Sequence, residues 1–63
     1  MYMSAPKDPF ILLSWVNMKL RDTYPSLEEL CASEGEAKEE ISERLKAAGY
    51  FYDSAKNQFV ILP

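Results

Sequence analysis

Between Phe10 and Leu20 eight of eleven residues are apolar, and the dipeptides Asp8-Pro9 and Tyr24-Pro25 bracket the run. Asp is a strong N-cap, and Pro suits the first helical position, where its missing N–H would have no partner. Tyr24 precedes a proline and is therefore biased away from the helical region. The bracket predicts a helix that opens at Asp8-Pro9 and stops by Asp22 or Thr23. A helix that buries one side carries about three apolar residues in seven, and this one exceeds that. At roughly 100° per residue, Ser14, Asn17 and Arg21 form one polar stripe. The remainder splits into two apolar arcs on either side of Lys19: Leu13, Val16 and Leu20 on one, Ile11, Trp15 and Met18 on the other. Two arcs need two packing partners. A chain of 63 residues has room for one core and buries only about 60% of its unfolded surface.

The rest of the chain supplies that core. Ser26-Leu27-Glu28-Glu29 has the S-x-x-E form of a capping box and opens a second helix with Leu27, Leu30 and Cys31 inward; Gly35 ends it as a left-handed cap. A third helix runs from about Glu36 or Ala37 to Ala48, with Ala37, Ile41, Leu45 and Ala48 on one stripe, Glu40 and Arg44 as an i, i+4 pair, and Gly49 as its stop. The period then changes. Tyr50-Phe51-Tyr52 and Gln58 to Leu62 are β-prone runs around the polar connection Asp53 to Asn57, which predicts a hairpin. The expected fold is α+β: three short helices, the second and third a helix-turn-helix-like pair, and a C-terminal β-hairpin in the manner of a winged helix. Residues 1–7 show no period and are expected to be a loose tail; residues 8–63 form one domain.

Composition narrows the function classes. The chain has no histidine, which removes Ser-His-Asp and Cys-His catalysis and histidine metal sites. Its single cysteine, Cys31, excludes an internal disulfide framework and a four-cysteine zinc site. Acidic neighbours and an inward position make Cys31 a small core residue rather than a reactive thiol. The apolar run Phe10 to Val16 is far short of a ~20-residue membrane span, and no basic region followed by a long apolar core precedes it. The expectation is a reduced, cytoplasmic protein with no membrane association, no cofactor, no metal, no small-molecule substrate and no catalytic set.

Charge argues against nucleic acid, although the helix-turn-helix spacing raises it. Residues 23–49 hold seven glutamates against Lys38, Arg44 and Lys46, a net −4, while phosphate neutralisation supplies most non-specific affinity. A winged-helix DNA binder would need Lys19, Arg21, Lys38, Arg44, Lys46 and Lys56 on one surface. The acidic stripe Glu36, Glu39, Glu40 and Glu43 faces water rather than converging on a cation. The aromatics Tyr50, Phe51, Tyr52 and Phe59 could stack bases, but only Lys56 is nearby, so they read as hairpin packing. Asp53 and Asn57 read as turn residues. Asn17 and Arg21 stay open between a solvated stripe and a hydrogen-bonding strip at an interface.

Asp8-Pro9, the run Leu13 to Asp22, Ser26-Leu27 with Leu30-Cys31, and Gly49-Tyr50 with Tyr52-Asp53 and Asn57-Gln58-Phe59 together resemble a small bacterial family called domain of unknown function forty-two fifty. The resemblance covers residues 8 to 60. Its most specific parts are the N-M-K-L-R-D run and the G-Y-x-Y-D…N-Q-F ending; Glu34 and Glu36 depart from it, since that segment is usually more apolar. The family assigns no activity or site residue, and the resemblance implies a complete bacterial protein. The ending is also similar to the wing of some replication and plasmid regulators, an analogy of fold.

The leading functional expectation is a non-catalytic interaction or regulatory module, with a DNA-binding winged helix as the alternative. The Ile11, Trp15 and Met18 arc is the expected partner-binding surface, for a homodimer or a heterologous protein.

Overall fold

The computed structural model describes residues 5–62. Three helices, α1 (Pro9–Asp22), α2 (Leu27–Glu34) and α3 (Lys38–Ala47), are followed by an antiparallel hairpin of β1 (Tyr50–Asp53) and β2 (Gln58–Ile61). This is the expected α+β arrangement, and the local signals explain its boundaries. The Asp8 carboxylate accepts hydrogen bonds from the Phe10 and Ile11 N–H groups, and Pro9 takes the first helical position. The Ser26 hydroxyl accepts from the Glu29 N–H, which satisfies one orphan donor of α2. Gly35 closes α2 in the left-handed region at φ 71°, where a Cβ would be strained. Ala37 is the N-cap of α3 and offers no side-chain cap; Ala37 is exposed, so the buried stripe of α3 is Ile41 and Leu45 alone.

The core consists of Leu12, Val16 and Leu20 from α1, Leu27, Leu30 and Cys31 from α2, Ile41 and Leu45 from α3, and Phe59 from β2. The expected α1 arc is corrected by one position. Leu12 is fully buried, while Leu13 is half-buried at the margin of the core. The i, i+4, i+8 row of Leu12, Val16 and Leu20 lies in the core cluster, and Leu13 packs against its edge.

The hairpin register pairs Tyr50 with Ile61, Phe51 with Val60, Tyr52 with Phe59 and Asp53 with Gln58. β1 lies against α3 and β2 against α1, so the hairpin seals two helices rather than the third alone. The Leu62 N–H donates to the Gly49 carbonyl at 2.7 Å. Hydrogen-bonded pairs alternate in an antiparallel ladder; Phe51–Val60 and Asp53–Gln58 therefore face each other through backbone bonds. Tyr50, Tyr52, Phe59 and Ile61 direct their N–H and C=O groups outward, to the two edges.

Of the expected tail, residues 1–4 lie outside the described residues. Ala5 is half-buried against the core and its N–H donates to the Glu36 carboxylate at 3.1 Å. This part of the tail is therefore anchored, by one of the two glutamates that looked out of place.

Candidate functional site

The side of α1 away from the core carries Phe10, Ile11 and Met18, with 62%, 59% and 48% of their surfaces exposed. Ser14 lies between them, also exposed, and Arg21 ends the stripe beside Asp22, to which its guanidinium donates two hydrogen bonds. Ile11 and Met18 are thus where the periodicity put them. Trp15 is not the exposed centre of the arc: it is half-buried, packs against the core, and the Lys19 ammonium sits 5.4 Å from the centroid of its ring. Phe10 takes its place in the exposed set. At about 100° per residue Phe10 falls within roughly 80° of Met18, a signal that was present in the sequence.

The polar side chains of the two motif segments meet one another. The Asn17 side-chain amide accepts from the Phe59 N–H at 2.7 Å and donates to the Phe59 carbonyl at 3.0 Å. It occupies the outward-facing position of β2 as the peptide of a neighbouring strand would. Gln58 donates to the Asn17 carbonyl at 3.0 Å. Asn57, at φ 53°, donates from one amide nitrogen to the Leu20 and Tyr24 carbonyls at 3.1 and 3.0 Å, where α1 ends. Its amide oxygen accepts from the Tyr52 hydroxyl at 2.6 Å, and that hydroxyl accepts from the Leu27 N–H, the first of α2. The reading of Asn57 as a turn residue is therefore incomplete, and the stripe of Ser14, Asn17 and Arg21 divides: Asn17 docks the hairpin while Ser14 and Arg21 face water.

A second polar cluster joins the ends of α1 and α2. The Tyr24 hydroxyl donates to Glu34 at 2.7 Å, and the Lys19 ammonium lies 3.3 Å from the same carboxylate oxygen. The Tyr24 hydrogen bond, then Lys19, holds the Glu34 carboxyl below its ordinary value despite partial desolvation. The same hydrogen bond, ahead of desolvation, raises the Tyr24 hydroxyl. Glu34 is here a latch. Burial, then the charge of Glu36, pushes the Cys31 thiol up; it is an inert core group rather than a thiolate nucleophile.

Other candidate chemistry is thin. A cavity of about 170 Å³ beside α3 is floored by Leu12 and Ile41 and rimmed by Glu36, Glu40 and Arg44, which is small against the ~300 Å³ of a typical ligand pocket. Arg44 is held by Glu40 at 2.9 Å. Lys38 and Lys46 share the exposed surface of α3 with Glu39, Glu40 and Glu43. Of the hairpin aromatics, Phe59 is buried against Tyr52, with ring centroids 5.5 Å apart, and only Phe51 is exposed. Among the described residues no three histidine, cysteine or acidic side chains gather where they could hold a metal ion. Among the described residues no helix is long and apolar enough to cross a membrane.

No curated protein and no solved structure matches this chain. One family profile does, over residues 6–59. That span takes in Asn17, Tyr52, Asn57, Gln58 and Phe59, the residues through which α1 and the hairpin interlock. The chain belongs to the family described as a domain of unknown function, DUF4250.

Proposed function

We propose that this chain is a non-catalytic interaction module of the cytoplasm whose docking surface is the outer face of α1. The observation that carries the reading is the exposed apolar set Phe10, Ile11 and Met18 on a helix whose opposite side is fully committed to the core. An apolar patch of this kind, rimmed by polar residues, is characteristic of association sites. The polar side chains of the motif segments support it from another direction, because Asn17, Tyr52, Asn57 and Gln58 spend their hydrogen bonds inside the molecule. The occupant is a protein, a second copy included. Trp15, half-buried against the core, follows Ile11 by one helical turn. A buried free thiol at Cys31 suits a reducing compartment.

The DNA-binding alternative draws little from the geometry, since the exposed surface of α3 mixes carboxylates with its lysines and Arg44 is already paired. The test compares wild type with Ile11→Glu/Met18→Glu in affinity capture from native cells and in binding to random duplex DNA at low ionic strength. A protein captured in fixed stoichiometry by wild type and lost with the double variant, at unchanged circular dichroism, is the expected result. Capture indifferent to the double variant, or a salt-sensitive DNA shift, overturns the reading.

A further inference from the structure

Residues 5–7, just ahead of the α1 N-cap, lie against the rest of the molecule without joining a helix or strand. Ala5 is half-buried and packs on the core, Pro6 is half-buried beside it, and Lys7 faces water. Ala5 precedes a proline and is biased toward an extended backbone, and Pro6 has no N–H to give to any ladder. With Leu12 of α1, with Glu40, Ile41 and Arg44 of α3, and with Glu36, the segment lines the cavity of about 170 Å³.

Among the described residues one hydrogen bond ties this segment down, from the Ala5 N–H to the Glu36 carboxylate 31 residues away. Helix-end chemistry fixes the backbone that carries this carboxylate: Gly35 caps α2 in the left-handed region, and the Glu36 N–H donates to the Cys31 carbonyl at 2.9 Å. The packing is thinner than the bonding. Ala5 and Pro6 share the cavity with the buried Leu12 and Ile41 instead of filling it. A void deprives its lining of contacts, and holding these residues in one conformation costs backbone entropy. Segments with so few buried apolar contacts open at a lower free energy than the fold as a whole.

We propose that residues 5–7 are a strap that lifts and closes over this cavity as a unit of its own, with Glu36 as the catch and the rest of the fold unchanged. The N-cap sets where the movement stops. Asp8 is held by the Phe10 and Ile11 N–H groups at 2.9 and 3.1 Å, so the hinge falls at Lys7. Closed, the strap shields Leu12 and Ile41; lifted, it opens that apolar floor between α1 and α3 to solvent. The strap does not depend on the outer face of α1 and stands or falls without it.

The test is native-state amide exchange on the whole chain at low urea, with the Val16 and Leu45 amides reporting global unfolding. The Ala5 amide is expected to be protected about tenfold relative to an unstructured chain. It is expected to exchange faster than Val16 and Leu45, at a rate indifferent to urea, because a local opening exposes little surface. Glu36→Ala is expected to bring Ala5 to the unprotected rate and to shift the Leu12 and Ile41 methyl resonances, with Val16 and Leu45 as protected as before. Glu36→Gln, whose side-chain oxygen still accepts but without charge, is expected to fall between wild type and Glu36→Ala. An Ala5 amide that is unprotected in wild type, one that exchanges with Val16 and Leu45 at their urea slope, or one whose protection survives Glu36→Ala overturns the strap.

Discussion

Two asparagines do work that no helix or strand propensity describes. Asn17 sits mid-helix, a position where its propensity is poor, and its amide supplies Phe59 with a donor and an acceptor as a peptide group would. Asn57 combines a left-handed backbone, which Asn tolerates better than most residues, with bonds to the carbonyls of Leu20, in the last turn of α1, and Tyr24, just beyond it. Asn17→Ala leaves the Phe59 N–H and C=O without protein partners, and Asn57→Gly keeps the backbone conformation but loses the bonds. Each is expected to destabilise the fold by about 1–3 kcal/mol, read from the urea midpoint at unchanged slope. If Asn57 were a turn residue only, glycine would be neutral. In the sequence, Asn17 was visible as a polar residue on a crowded apolar helix. Its partner was not, because Phe59 is 42 residues away and periodicity is blind to contacts at that range.

At the scale of elements, one charged latch joins α1 to α2, and it is expected to make the fold sensitive to pH at both extremes. Glu34 closes α2 onto α1 through Tyr24 and Lys19. Its depressed carboxyl contributes stability above its ordinary value of 4.5 that is lost as pH falls through the lower folded value. The raised Tyr24 hydroxyl works in the opposite sense, contributing below its ordinary value of 10.0 and losing that contribution as pH rises beyond it. Tyr24→Phe is expected to flatten the alkaline loss and to reduce the acid loss, with Lys19 sustaining the remainder; thermal melts across pH measure both. Glu34 and Glu36 stood out in the sequence as charged residues beside a turn glycine. Their purpose lay in tertiary neighbours: Tyr24 and Lys19 for one, the Ala5 N–H for the other. The caps at Asp8, Ser26 and Gly35, by contrast, are local chemistry and were legible from residue type and spacing.

For the whole molecule, the decisive feature is a helix with two apolar sides in a protein with one core. Leu12→Ala, on the inner side, is expected to cost about 2–5 kcal/mol, as for a buried leucine elsewhere. Ile11→Glu/Met18→Glu, on the outer side, is expected to stay within about 0.5 kcal/mol of wild type per site, because both residues are exposed. Urea unfolding of the three proteins separates residues held for folding from residues held for association. Equal losses on both sides would show that the outer face is structural after all.

The amino-acid sequence by itself determined the α+β fold, the order of its elements, their caps, and the surplus of apolar surface on α1, since these follow from periodicity, helix-end chemistry and composition. It also carried the family's two most specific runs, without the reason for either. Tertiary structure decided which leucine, 12 or 13, enters the core, and it drew Trp15 under Lys19 while leaving Phe10 outside. It also joined the runs, setting Asn17 on the edge of β2 and Asn57 on the end of α1. The physical reason is geometric. A hydrophobic arc on a helix is some 100° wide, so sequence places the face, but the angle at which neighbouring elements approach selects the residues within it. An amide that completes a strand edge is recognisable only once the strand lies beside it.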